Sequence, residues 1–136
     1  MTSLILRVSS RYLLIGLVAV SLWVLWRGHN APGGGFSAAL LAACGFALRS
    51  FACGVDEARR QLRWAPPTLI ACGLLVAVGS GLPGVVLRNE LFHPYWLPEL
   101  PLLGKLGTPT LFDVGVYLIV LGTTTAAIFS LSDVET

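Results

Sequence analysis

Four runs of this chain carry no charged residue at all: 12–26, 36–48, 68–87 and 114–132. About 20 apolar residues cross the hydrocarbon of a bilayer as a helix, and about 17 is the lower limit. The composition agrees, with 55% hydrophobic residues and only 12% charged, about half the roughly 25% charge of a soluble domain. These runs predict an all-α integral membrane protein with four transmembrane helices, over about 4–26, 36–53, 68–87 and 110–131. The whole chain, 1–136, reads as a single four-helix membrane domain without a dividing linker or a repeat.

The first helix reaches full length only if Arg7 and Arg11 snorkel toward the head groups. Two arginines before an apolar run also open a secretory signal peptide, but no small-x-small cleavage site follows. The run ends instead in Trp23-Val24-Leu25-Trp26-Arg27, which suits the interfacial anchor of a retained helix.

The net charge of +2 is too small to imply a nucleic-acid partner. Its distribution says more. Arg7, Arg11, Arg49, Arg59, Arg60 and Arg63 fall on one side of the four spans, against Arg27, Arg88 and Lys105 on the other. The positive-inside rule then puts both termini and the central loop, 54–67, in the cytoplasm. That loop reads as a solvated, arginine-rich face closed by Pro66-Pro67 before the third helix. The outer segment 88–107 holds Pro94, Pro98 and Pro101 among Leu91, Tyr95, Trp96 and Leu97. It is too proline-rich for a long helix and too apolar for a free loop, so it is expected along the interface or against another subunit.

The break between the first two helices is Gly28-His29-Asn30-Ala31-Pro32-Gly33-Gly34-Gly35-Phe36. Three glycines after a proline cannot be helix interior at reasonable cost, so the backbone must turn tightly or approach something closely there. Small residues also line three helices at helical spacing: Ala38, Ala42 and Gly45; Gly73 and Ala77; Gly115, Gly122 and Ala126. Such stripes let membrane helices approach closely, within the chain or against a partner.

Few side chains carry chemistry. Asp113 is the one acid near a helix core, in Gly107-Thr108-Pro109-Thr110-Leu111-Phe112-Asp113. With Thr108 as N-cap and Pro109 as first helical residue, Asp113 lies about one turn in. There it is either an anion favoured by the helix dipole or an ion or proton ligand at a crevice, as intramembrane acids commonly are. Both readings stay open on the sequence. His29 at the outer end of helix one can titrate near neutral pH and relay protons. A turn-fixing role is the stronger reading, because no acid stands beside it. His93 sits among prolines and aromatics and reads as interfacial. Cys44, Cys53 and Cys72 have neither CxxC spacing nor a nearby histidine and read as buried thiols packing like small hydrophobes. Gly79-Ser80-Gly81-Leu82-Pro83-Gly84 has dinucleotide-motif spacing but no strand before it. It is expected to loosen and kink the end of helix three. No catalytic, metal or cofactor ligand set is found, and no Lys or Glu is expected at mid-membrane. A protein that moves ions through its own middle carries several such groups, so the chain reads as part of an assembly and not as a complete transporter.

The glycine loop and the stretch Gly107-Thr108-Pro109-Thr110-Leu111-Phe112-Asp113-Val114-Gly115-Val116-Tyr117-Leu118 resemble the B subunit of the multisubunit Na+/H+ antiporter, the Mrp or Mnh complex. The resemblance covers nearly the whole chain, including the order of the two motifs, and extends to subunits of membrane-bound hydrogenase-type complexes. It implies a small, non-catalytic subunit of a hetero-oligomeric antiporter in a bacterial inner membrane, with transported Na+ and H+ and no cofactor of its own. It carries Gly28, His29, Pro32, Gly33, Gly34, Gly35, Phe36, Thr108, Pro109 and Asp113 onto the family's motifs without saying which touches an ion; Asp113 and His29 are the ion-path candidates on their own chemistry. Two rivals remain: a scaffold subunit of an electron-transfer complex, and a small membrane enzyme working on lipid with His29 and Asp113 as its polar pair.

Overall fold

The computed structural model describes residues 3–28, 34–91, 93–99, 101 and 106–134. They form helices α1 (Leu4–Arg27), α2 (Gly35–Cys53), α3 (Val55–Leu62), α4 (Pro66–Gly79), α5 (Leu82–Arg88) and α6 (Thr108–Val134). Four stretches are long and apolar enough to cross a membrane: Leu4–Arg27, Gly35–Cys53, Val55–Arg88 and Thr108–Val134. The bounds of the first two lie within a residue of those expected.

The third crossing differs from the single helix over 68–87. It starts earlier, because Pro66 and Pro67 are its first residues and not its closing loop. Proline fits the first turn, whose N–H groups lack helical partners in any case. It also breaks: α4 ends at Gly79, Ser80 and Gly81 form a turn, and α5 restarts with Pro83 in its first turn. The expected loosening at Gly79–Pro83 is therefore a full interruption. The central loop, expected as a solvated face, holds the short α3, which buries Ala58 and Leu62 while Asp56, Arg59 and Arg60 face out and Glu57 turns toward Arg49. Positive φ at Gly54 (93°) and Arg63 (64°) brackets it.

Two helix pairs build the bundle, α1 with α2 and α4 with α6, and α2 packing on α6 joins them. The small-residue stripes lie at these contacts. A Cβ on Gly73 would stand 2.7 Å from the Gly115 carbonyl oxygen, and one on Gly115 would stand 2.7 Å from Ala77 N. Ala38, Ala39 and Ala42 of α2 are fully buried. The stripes are thus satisfied within the chain. By contrast, only 17% of the α1 window is buried, against half of the α2 window. Ile5, Tyr12, Ile15 and Trp23 stand out from α1, a face suited to lipid or to other subunits. The cysteines depart from expectation: Cys44 and Cys72 are exposed and Cys53 is half-buried. All three lie in apolar helices, so the face they reach is one that lipid or a neighbour covers.

The start of α2 leaves no room for a side chain against α6. Gly34, its N-cap, has φ 134°, a conformation that side chains strain to adopt. A Cβ on Gly35 would collide with the Asp113 carbonyl oxygen and lie 3.0 Å from Tyr117 N. Gly35→Val must push α2 off α6 and is expected to cost about 1–3 kcal/mol, read as a lower unfolding midpoint in detergent. Gly16→Val on α1, where an added Cβ meets nothing within 4 Å, is the matched control and should leave the midpoint unchanged.

Candidate functional site

The two sequence motifs meet. Gly35 lies on the backbone of Asp113, and a Cβ at Gly34 would come 4.0 Å from Asp113 Oδ1. Beside this contact opens a cavity of about 550 Å³ lined by Gly28, Ser80, Trp96, Thr108, Pro109, Phe112 and Asp113. Gly28 ends α1, its N–H bonded to the carbonyls of Val24 and Leu25. Ser80 comes from the break between α4 and α5. Its hydroxyl donates to the Ala77 carbonyl at 2.6 Å, which satisfies a group freed by the interruption.

The remaining wall comes from the proline-rich outer segment, which folds back on the start of α6. The Tyr95 N–H donates to Thr108 Oγ1 (3.1 Å), and the Thr108 N–H to the Tyr95 carbonyl (3.0 Å). The Leu97 N–H donates to the Leu106 carbonyl at 2.7 Å, and Trp96 bridges Gly107. Trp96 therefore serves as cavity wall as well as being part-exposed. His93 is half-buried, with Nδ1 2.9 Å from Glu90 and its ring edge-on to Tyr95. It is tied locally and lies outside the cavity lining.

The cap of α6 corrects the sequence reading. Helix bonds begin at the Gly107 carbonyl, which accepts from Thr110 and Leu111. Gly107 is thus the N-cap and Thr108 the first helical residue. Thr108 spends its oxygen on Tyr95, while Thr110 Oγ1 accepts from the Gly107 N–H at 3.4 Å. Asp113 is then the sixth residue of α6, and the first turn contains no acid. The helix-dipole effect falls off within the first turn, and Asp113 lies just beyond it. Asp113 is half-buried, and among the described residues no hydrogen bond or ion pair holds its carboxylate.

Of the other motif residues, Pro109 lines the cavity and Phe36 faces outward at 61% exposure. His29, Pro32 and Gly33 lie outside the described residues. One turn beyond Asp113 the sequence reading missed a polar pair, Tyr117 and Ser21. Ser21 is fully buried; its hydroxyl donates to the Val18 carbonyl at 2.7 Å and stands 3.0 Å from the Tyr117 hydroxyl. With the serine proton directed at Val18, Tyr117 is the donor. This bond ties α1 to α6 in a region with few other contacts between them. The readable signal was a tyrosine four residues after the motif aspartate.

Chemically the site offers one carboxylate in a cavity otherwise made of hydroxyls, aromatic surface and backbone. Among the described residues no three of His, Cys, Asp and Glu come together. Hard cations take several oxygen ligands, and one carboxylate falls short of such a set.

A bundle of this kind, with four membrane-crossing stretches, small-residue seams inside and a carboxylate in the cavity at one end, defines a multi-pass membrane subunit. Residues 5–126 match the family described as a domain related to the MnhB subunit of the Na+/H+ antiporter, and the chain belongs to that family. It is 34% identical over 135 residues to the B subunit of the Na(+)/H(+) antiporter of Bacillus subtilis, covering 97% of this chain and 94% of the relative. It is 33% identical over 120 residues to the A/B subunit of a probable K(+)/H(+) antiporter of Rhizobium meliloti, covering 86% of this chain and 12% of that one. A solved chain of the Mrp complex of Dietzia sp. superposes with TM-score 0.80 and 41% identity, over 94% of this chain and 14% of that one.

The Ser21–Tyr117 bond has a measurable worth. Interhelical hydrogen bonds in membranes average about 0.6 kcal/mol and reach about 1.7. A double-mutant cycle of Ser21→Ala and Tyr117→Phe, followed by unfolding in detergent, should give a coupling energy in that range. Additive costs would show that the two hydroxyls do not interact.

Proposed function

We propose that this chain is the B-type subunit of a proton-coupled cation antiporter in a bacterial cell membrane, and that Asp113 borders the cation path. The observation that carries the proposal is the meeting of the glycine loop with Asp113 beside the 550 Å³ cavity. Family membership supplies the kind of assembly. Sodium is the cation in this reading, after the Bacillus subtilis relative; the Rhizobium meliloti relative's name gives potassium. The chain supplies a rigid wall with one negative charge, and neighbouring subunits complete the coordination and the proton route. Both termini and α3 face the cytoplasm, supported by the excess of arginine at that end. The cavity then opens to the outside.

The test pairs co-purification with transport. A tagged chain taken in mild detergent should bring large antiporter subunits with it. A unit charge about 4 Å from a cation is worth about 4 kcal/mol near a protein surface. Asp113→Asn should therefore lower antiport in inverted vesicles by at least about tenfold, with the complex intact and Asp113→Glu restoring part of the activity. Loss of assembly in Asp113→Asn would give the residue a structural role instead. Recovery of the chain with redox subunits would transfer it to an electron-transfer complex.

A further inference from the structure

At the end of the bundle away from Asp113, three arginines converge. Arg49 lies 14 positions beyond Gly35 on α2, roughly 21 Å along the axis at about 1.5 Å per residue. It is turned inward and only 6% exposed. Its Nη1 donates to the Arg7 carbonyl (2.7 Å) and to Ser10 Oγ (2.9 Å), and its Nη2 reaches Glu57 Oε1 at 3.4 Å. Its Nε has no partner among the described residues. Buried polar groups are rarely left so, and a buried guanidinium least of all.

The nearby carboxylate does not neutralise the cluster. Glu57 Oε1 also accepts from Gln61 Nε2 at 3.1 Å. Arg7 and Arg11, one turn apart on α1, have no ion pair among the described residues. Three guanidiniums thus face one shared carboxylate. Two cavities open on them. One of about 510 Å³ is lined by Arg7, Val8, Arg11, Tyr12, Ile15 and Arg49, and one of about 230 Å³ by Arg7, Arg49, Cys53 and Glu57. The larger continues from the arginines along exposed Val8, Tyr12 and Ile15, one face of the least buried helix.

We infer that this groove is a site for an anionic phospholipid, with the phosphate held by Arg7, Arg11 and Arg49 and an acyl chain lying along Val8, Tyr12 and Ile15. The chemistry requires both ends. An anion relieves the repulsion among the guanidiniums and supplies acceptors for the unpartnered Nε. The apolar wall runs beside the charges and continues to Ile15, one turn beyond Arg11, which matches an amphiphile and is useless to a free phosphate ion. The depth also fits: Arg49 lies four residues from the end of α2, about 6 Å at about 1.5 Å per residue, within snorkelling reach of the head groups. The inference needs only that the chain spans a membrane and stands apart from the antiporter reading.

The experiment uses the assembled complex reconstituted with photoactivatable phosphatidylglycerol or phosphatidylcholine, with crosslinks mapped on this chain. Phosphatidylglycerol should label α1 peptides in strong preference to phosphatidylcholine, and excess inorganic phosphate should not compete. Basic residues near the surface are worth about 1 kcal/mol each toward anionic lipid. Arg7→Gln with Arg11→Gln should therefore cut that preference by roughly thirtyfold. This pair carries the test because Arg49→Gln also breaks internal bonds, whereas the milder Arg49→Lys should lower labelling with the complex still assembled. Equal labelling by the two lipids would overturn the inference. Competition by inorganic phosphate would assign the cluster to a free anion. Loss of a neighbouring subunit from the double variant, with labelling unchanged, would assign it to a protein contact.

Discussion

The bundle depends on the contact of α2 with α6 at Gly35. The pairs α1–α2 and α4–α6 are each closely packed, but α2 on α6 is the main contact holding one pair to the other. At its tightest point backbone meets backbone, because Gly35 lies where any side chain would displace the Asp113 carbonyl or the Tyr117 amide. Lipid gives helices no hydrophobic reason to associate, so close approach and dispersion must do it. One glycine therefore fixes the position of α2 and, with it, the height of Asp113 beside the loop. The same contact makes the wall of the candidate site.

Around that seam the polar groups are satisfied inside the helices, as lipid requires. Thr123, Thr124 and Thr125 each donate to the carbonyl four residues back at 2.7 Å. Ser50 and Ser80 bond to carbonyls three residues back. Besides the exposed Arg59–Asp133 pair of α3 and α6, two buried groups are instead used between helices: Tyr117 toward Ser21, and Arg49 toward α1 and α3. Each lies near one of the two functional candidates, where a fixed separation between helices matters more than the neutrality of a surface.

The crossings were legible because charge-free runs leave little freedom, and the two motifs were legible because glycine and proline have few uses inside a membrane helix. That Gly34, Gly35 and Asp113 touch was not legible: they are far apart in sequence, and only the pairing of α2 with α6 brings them together. The cap of α6 was misplaced by one residue because Thr108 is a better capping residue than Gly107 in isolation, and the tertiary bond to Tyr95 claimed its oxygen. Helix α3 was hidden by its charge; eight residues with two buried apolar positions leave too short a period to detect. Arg49 was counted as loop-side charge because nothing in the sequence tells an inward arginine from a snorkelling one.

The two ends of the chain carry opposite chemistry, and this limits what it can do alone. A half-buried carboxylate stands at one end and three guanidiniums at the other. Between them lie Tyr117, Ser21 and Thr125, whose hydroxyls stay bonded to carbonyls or to each other. Among the described residues no carboxylate or imidazole stands at mid-span between the two ends. The position of Asp113 is set by the glycine seam, where Gly35 lies against its carbonyl and leaves no room for a side chain.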